Sequence, residues 1–488
     1  MSLKYHQLSQ DVLNAMATGG GGRTALEILR QAQYSKHALL LLGTVMTAET
    51  VGHQQAEIAR SGYDLLALAQ RRDPLRADIV IRHPSVGAWA NRTIVALRGG
   101  PSLPGAEPGG LATVAAAAAI RVGLVAEIDV PVSGRIVMLP SLGAVGPVDA
   151  GLAKVRIGRS YIEVTARDKR VAIPRDYREH APGWQPLRQI CPGSLELLID
   201  DVDPFRMPAA LHLTTPPSDL GRWPGIFREA WALLKRHHPT VATEVAALVG
   251  VIVPLATPLK GQVSSSSPET FGAIALSEPL DACTLASTLA HEVQHVKLSA
   301  LLDMVSLIQP DDGRRFYAPW REDPRPATGL LQGAYAYVGV SGFWRRQRAL
   351  GDGLEAHVEF ARWREAAALV AGVLLRSGCL TNVGDTFVRG MAATLRAWQS
   401  EPVPETARRR AREKAEEHAA RWESKFGPVS VSLSVRSGES RNRSRVGDPQ
   451  PQRSCQDGHC QACRDTDLSC RQPGAPLPPQ CPRHAGPG

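Results

Sequence analysis

The chain has 488 residues, of which 43% are hydrophobic and 5% aromatic, and this length predicts two or three domains with sizeable cores. The formal net charge is +9. Much of it falls in residues 406–421, which alternate Arg, Lys and Glu, and after Arg436, so we expect no nucleic-acid partner. No apolar run reaches the roughly 18 to 20 residues of a membrane span, and residues 1–17 lack the apolar core of a secretion signal. We therefore expect a cytoplasmic protein with no membrane attachment.

Residues 1–75 are predicted to form an N-terminal helical segment. Leu26, Leu29 and then residues 39–42 recur at helical spacing. The glycine run at residues 19–22 lacks the Gly-Lys-Ser/Thr ending of a phosphate-binding loop and a preceding strand, so we interpret it as a flexible connector.

A β-rich module is predicted for residues 76–200, because short β-branched runs alternate with Pro and Gly. The predicted strands are residues 93–98, 134–139, 154–164 and 195–199, with an Ala-rich helix at residues 111–120. Nothing in this module points to catalysis.

Helical patterns return in residues 201–426, with helices expected at residues 223–238 and 241–248 and a strand at residues 251–255. Three acids, Asp200, Asp201 and Asp203, lie at the start of this helical region. These acids fit either a cation site or a polar loop that enters the helical domain, and we favour the loop.

The pattern H-E-x-x-H, formed by His291, Glu292 and His295, lies in a helix that we expect to begin at its cap residue Asp281 and to continue to about residue 308. Residues four apart on a helix project from the same face, so both imidazoles can reach one metal ion. In zinc peptidases with this pattern the Glu is the general base for a metal-bound water, which makes Glu292 a candidate catalytic residue.

A third metal ligand must come from elsewhere in the chain. A second helix at residues 328–346 offers Gln332, whose amide is equally well explained as a buried group satisfied by the backbone. A third helix at residues 354–375 offers Glu355, His357 and Glu359.

The C-terminal residues 427–488 are rich in Pro, Arg and Cys and are predicted to be disordered. Cysteines cluster there, and Cys460 and Cys463 with the adjacent His459 form a Cys-x-x-Cys pair. We favour a disordered tail over a metal-binding knuckle, because regular four-ligand spacing and an apolar core are missing.

Several runs resemble the HExxH-motif family of peptide-modifying enzymes, a domain often fused behind radical SAM domains in the maturation of ribosomally made peptides. The runs are residues 290–298, 316–326, 329–337 and 343–345, with weaker likeness at residues 26–42 and 201–206. This chain has no Cys-x-x-x-Cys-x-x-Cys radical SAM motif, so it would be a stand-alone member.

The resemblance implies an Fe(II)- and 2-oxoglutarate-dependent oxygenase that β-hydroxylates a side chain of a precursor peptide. His291 and His295 would hold the iron, and Gln332 or a nearby side chain would complete the ligand set. In such an oxygenase Glu292 would orient a ligand or a water. The resemblance also points to a precursor peptide as the partner, and to a radical SAM maturase from the same pathway.

A dicarboxylate cosubstrate needs a cation at its distal end, and the planar fork of Arg suits a carboxylate. Arg325 is our first choice and Arg321 our second. The competing interpretation is that both arginines form ion pairs within their own loop, for example with Asp323.

Two other functions stay open. A zinc metallopeptidase of the gluzincin type would use Glu292 as base and a Glu of the third helix as third ligand, and a non-catalytic peptide-binding scaffold would need at most a structural ion. For all three functions we predict an α+β fold with a mostly helical metal-site domain. A zincin-like arrangement of the motif helix is implied by the resemblance.

Overall fold

The computed structural model describes residues 5–190, 193–208, 220–258, 261–351 and 353–428. The predicted disordered tail and its cysteine cluster lie outside the described residues. Within these ranges the chain is an α+β protein in which helices predominate over small sheets. None of the helices in these ranges combines the length and the apolar character that a membrane span requires.

Helices occupy the first part of the chain. They are α1 (Gln10–Ala17), α2 (Gly22–Thr50), α3 (Ala56–Arg72), α4 (Pro74–Ile81), α5 (Pro84–Leu97) and α6 (Gly110–Val122). The helix predicted for residues 111–120 is therefore confirmed as α6. A Cβ at Gly62 of α3 would lie 2.7 Å from the backbone nitrogen of Ala112, so this glycine lets α3 pack directly onto α6.

The predicted strand at residues 93–98 is wrong, because these residues form the end of α5. Its Thr-Ile-Val sequence is β-branched and favours a strand locally. However, α5 buries Trp89 and Thr93, four residues apart, and packs along α2. Tertiary packing of a helical face outweighs the local preference, and the β-rich part of the chain begins only at Ala126.

Two small antiparallel sheets follow. One has the order β1 (Ala126–Val132), β4 (Gly151–Ile157), β5 (Ile162–Ala166) and β6 (Lys169–Ile173). The other has the order β2 (Val137–Leu139), β3 (Gly143–Val145) and β7 (Trp184–Pro186). In β4 the alternating residues Ala153, Val155 and Ile157 are buried, so one face of the larger sheet packs inward, where α6 contacts β1.

A mixed five-stranded sheet adjoins the site. Its order is β11 (Ser264–Ser265), β12 (Ala273–Leu276), β10 (Val251–Pro254), β9 (Leu197–Ile199) and β8 (Arg188–Ile190). The three central strands are parallel, and both edge strands are antiparallel to their neighbours. Between β9 and β10 the chain forms α7 (Trp223–His237) and α8 (Pro239–Leu248), as predicted.

Helices complete the described chain. They are α9 (Ala282–Leu302), α10 (Ala327–Gln347), α11 (Gly353–Ser377), α12 (Asn382–Gln399) and α13 (Glu405–Phe426). The motif helix is α9, which joins two cores. Leu289 and Val293 pack with α7, α8 and the mixed sheet, whereas Leu298 and Leu301 pack with α10, α11 and α12.

Candidate metal centre

The motif lies in the middle of α9, where packing holds the helix on two sides. Asp281 caps the helix by accepting a hydrogen bond of 2.8 Å from the backbone N–H of Thr284, as predicted, and α9 ends at Leu302, six residues earlier than expected. A Cβ at Gly339 of α10 would lie 2.6 Å from the carbonyl oxygen of Ala290. This glycine therefore lets α10 approach the turn that carries the motif.

His291 and His295 face each other, with their Nε2 atoms 3.2 Å apart. Two nitrogens that bind one ion at about 2.0–2.2 Å are separated by about 3.0–3.4 Å, so this spacing fits a shared ion. Burial, and then the neighbouring His295 ring, lower the pKa of His291 well below its usual value. His291 is thus neutral at neutral pH, which is the form that ligates metals.

Gln332 contacts the His295 ring on the side that faces away from His291. Its Oε1 lies 3.0 Å from Nδ1 of His295, and its Nε2 donates to Oγ of Ser299 at 3.4 Å. Nδ1 is the ring nitrogen turned away from His291, so this arrangement does not bring Gln332 to the paired Nε2 atoms as the predicted third ligand. Gln332 instead accepts the Nδ1–H of His295, which leaves the Nε2 lone pair for a metal.

Glu292 is fully buried, and both of its oxygens accept hydrogen bonds. Oγ of Ser264 donates to Oε1 at 2.6 Å, and Oγ of Ser266 donates to Oε2 at 2.7 Å. Ser264 belongs to the edge strand β11. The carboxylate therefore fastens this strand to the motif helix through two charge-assisted hydrogen bonds.

Aromatic rings line one side of the histidine pair. The ring of Tyr337 meets His291 edge to face at 5.1 Å and stacks on Trp363 at 4.1 Å and on Trp320 at 4.8 Å. A Cβ at Gly333 would lie 2.4 Å from Nε1 of Trp320, so this glycine makes room for the indole. No sequence pattern indicated this stack, which places the loop of Trp320 beside the pair.

Arg321 and Arg325 converge on one carboxylate in that loop. Nε of Arg321 donates to Asp323 at 2.9 Å, and Nη1 of Arg325 donates to it at 3.1 Å. Both arginines are buried. The ion pairs expected for a purely structural role are therefore present, and cosubstrate binding by either arginine stays a prediction.

The acids of the third predicted helix lie elsewhere. Glu355 and Glu359 of α11 both accept hydrogen bonds from Nζ of Lys414, at 2.7 and 3.0 Å. Among the residues that the structure describes, no third His, Cys, Asp or Glu brings a ligand atom within 4.8 Å of both motif histidines. In the described part of the chain, the two imidazoles are therefore the only side chains of these four types that converge on this candidate centre.

A second group of metal-ligating side chains was not predicted as a site. His83, Asp200 and Asp203, here called the buried trio, place ligand atoms within 4.8 Å of one another. Burial raises the pKa of Asp200 to about 6 and lowers that of His83 to about 4. Burial and then the charge of Asp200 raise the pKa of Asp203 to about 6. The sequence offered the two acids, but nothing in it joined them to His83.

Comparison with known proteins adds no relative. The chain matches no family model and is not significantly similar to any curated protein sequence. The functional argument therefore rests on the geometry of the motif histidines and their surroundings.

Proposed function

We propose that this protein is an Fe(II)- and 2-oxoglutarate-dependent oxygenase that β-hydroxylates a side chain of a ribosomally made precursor peptide. The observation that carries the proposal is the pair of facing Nε2 atoms of His291 and His295, with no third acidic or thiol ligand beside them in the described chain. The peptide-modifying family that the sequence resembles supplies the reaction.

The ligand count favours this chemistry over peptide hydrolysis. Non-haem Fe(II) oxygenases hold iron through two histidines and usually one carboxylate and keep open positions; here the two imidazoles would hold the iron and leave positions for a chelating 2-oxo acid and dioxygen. When bound, Fe(II) would allow dioxygen to act as the oxidant: one oxygen atom would convert 2-oxoglutarate to succinate and carbon dioxide, and the other would be inserted into a C–H bond of the peptide. A gluzincin needs a carboxylate as third zinc ligand, and the Glu residues of α11 that were candidates for it pair with Lys414.

The residues around the pair have supporting roles. Gln332 holds the His295 ring with Nε2 toward His291. The stacked rings of Tyr337, Trp320 and Trp363 provide an apolar wall that limits access of water to reactive species. We assign binding of the distal carboxylate of 2-oxoglutarate to Arg325 first and Arg321 second.

The mixed sheet supports a zincin-like arrangement and a peptide substrate. Its edge strand β11 runs antiparallel to β12 and is tied to the motif helix by Glu292. In the described part of the chain no strand pairs with the outer side of β11. An extended peptide could add to this edge and place a side chain near the histidine pair. We propose the cytoplasm, where such precursors are made, as the site of action.

The decisive experiment measures succinate. Protein purified without oxygen is given Fe(II), 2-oxoglutarate, air and a candidate peptide, and its metal content is determined on the same sample. Succinate that requires iron and is increased by peptide, with a peptide mass gain of one oxygen atom, is the expected result. Bound zinc, no succinate and a shortened peptide would replace the oxygenase with the peptidase.

The variant Glu292→Gln separates the two enzymes further. A peptidase loses its general base and all activity. In the oxygenase the amide still accepts from Ser264 or Ser266, so we expect a partial loss only. His357→Ala on α11 serves as a matched control, because its ring is outside the proposed machinery. Full activity in both His291→Ala and His295→Ala, with the metal retained, would show that the motif histidines are not the metal centre and would overturn the proposal.

A further inference from the structure

We propose that the buried trio of His83, Asp200 and Asp203 binds one divalent first-row transition-metal ion, separately from the motif histidines. His83 lies more than 100 residues before the two acids, and the fold brings the three side chains together at the junction between the N-terminal helices and the mixed sheet. His83 precedes α5, and Asp200 directly follows strand β9.

Hydrogen bonds fix all three members of the trio, Asp203 also through Ser85, and in His83 and Asp200 they leave one ligand atom over. Nδ1 of His83 is hydrogen-bonded to Oγ of Ser85 at 2.8 Å. Oδ1 of Asp200 accepts from the backbone N–H of Asp203 at 2.9 Å, and Oδ1 of Asp203 accepts from that of Phe205 at 2.8 Å. These contacts orient the three side chains without using Nε2 of His83 or Oδ2 of Asp200.

The two atoms left over are independent evidence for a bound cation. Nε2 of His83 and Oδ2 of Asp200 are buried and have no hydrogen-bond partner among the described residues, although His83 is only 3% and Asp200 0% exposed. A buried polar atom without a partner costs free energy of about 1–3 kcal/mol. A cation placed between them satisfies both atoms at once.

The negative charge of the two buried carboxylates favours a doubly charged cation as the ligand. Nη1 of Arg206 donates to the backbone carbonyl of Asp203 at 2.7 Å, and Arg121, whose charge acts on His83, donates to Ser141. Within the described residues neither guanidinium forms an ion pair with the two buried carboxylates, whose burial without compensation is costly. One imidazole and two carboxylates suit Mn²⁺, Fe²⁺ or Zn²⁺, and the oxygen majority favours the harder ions.

A cavity beside the trio has a volume of about 270 Å³ and is lined by His83, Arg82, Arg121 and Glu196, among others. All three members of the trio are buried, so we assign the ion a structural role. It would link the α4–α5 junction to the end of β9 and so brace the N-terminal helices against the sheet that carries the motif helix.

The test uses Mn²⁺, because thiolates of the cysteine-rich C-terminal residues bind this hard ion weakly. The full chain with His291→Ala and His295→Ala is stripped with chelator and titrated with Mn²⁺, and free ion is followed by electron paramagnetic resonance. We expect one bound equivalent and a rise in Tm with Mn²⁺ concentration. Adding Asp200→Asn should weaken binding by at least about 100-fold.

Two controls keep the test decisive. The Asn side chain still accepts from the backbone at Oδ1, so circular dichroism should show an unchanged fold. His83→Gln alters a different segment and should abolish binding as well. No binding in the parent variant, or binding unaffected by both substitutions, would overturn the proposal and leave the trio as a network that shares a proton. Because the motif histidines are already removed, this result is independent of the proposed oxygenase activity.

Discussion

Two buried polar groups in this protein are built in opposite ways. The motif group takes both candidate metal ligands from one helix, and hydrogen bonds hold its side chains: Glu292 is bonded to two serines and His295 to Gln332. The buried trio takes its candidate ligands from segments more than 100 residues apart, His83 and Asp200, and leaves one atom of each of these residues without a partner. Helical spacing can be recognised in a sequence, whereas a site that tertiary packing assembles can be recognised only by its unsatisfied atoms.

Loss of the motif histidines should have the largest effect, because both candidate ligands of this group lie on one helix. In His291→Ala or His295→Ala we expect succinate formation to fall to background and iron to be lost from this centre, because a single imidazole holds the ion poorly. Iron content and succinate are measured together. Retained iron and activity would mean that the pair is not a metal centre.

The buried ion pair of Lys297 and Glu244 tests what it costs to leave a buried carboxylate without its cation. Nζ of Lys297 donates to Glu244 at 2.6 Å, and both side chains are almost fully buried. Lys297→Met should lower the free energy of unfolding by about 3–5 kcal/mol, because it strands a buried carboxylate. The double variant with Glu244→Leu should recover most of the loss in urea denaturation. No recovery would show that Lys297 acts mainly through other contacts.

Gln332 tests whether the motif group depends on its outer hydrogen bond. Gln332→Leu removes the acceptor of the His295 Nδ1–H and should weaken iron binding by about ten- to hundredfold. Gln332→Glu keeps an acceptor and should bind iron nearly as well as the parent. Anaerobic titration with Fe(II) measures both. A loss as complete as that of His295→Ala would instead identify Gln332 as a direct ligand.

The smallest expected effect on stability is that of His37, which lies in α2 and contacts the end of α4 next to the trio. Its Nδ1 hydrogen-bonds to the carbonyl of Ile81 at 2.7 Å, two residues before His83. Burial, with the charges of Lys36 and Arg82, lowers the pKa of His37 from 6.5 to about 4. The unfolded chain therefore binds the proton first as the pH falls through 6.5, so acid destabilises the fold.

Between pH 7.5 and pH 6 this histidine should remove about 1 kcal/mol from the free energy of unfolding. His37→Gln should remove that portion of the pH dependence, and urea denaturation of both proteins at the two pH values measures it. An identical change in parent and variant would mean that His37 is protonated to the same extent in both states.

The sequence predicted the parts of the fold that local patterns determine. A cap residue and a continuous apolar stripe located α9, and similar periodicity located α10 and α11. The strand predicted at residues 93–98 failed because β-branched residues there pack as one face of α5. In each case the outcome depended on whether tertiary contacts agreed with the local preference.

The candidate site, like the fold, was predictable only where a local sequence pattern determines it. The two histidines follow from spacing alone, but the role of Gln332 depends on which ring nitrogen it meets, and that is fixed by the approach of α10. Likewise, the partner of Arg325 could not be chosen from several nearby acids until the loop was folded. His83 belongs to no motif, and only the three-dimensional structure places it beside Asp200.

The carbonyl of Gly19 has a consequence for synthesis of the chain. It accepts hydrogen bonds from Gln294 and Lys297, which follow it by 275 and 278 residues. At about 5–20 residues per second, a ribosome needs roughly 15 to 55 s to produce these partners. Both hydrogen bonds to the turn between α1 and α2 therefore form only after more than half of the chain has been translated.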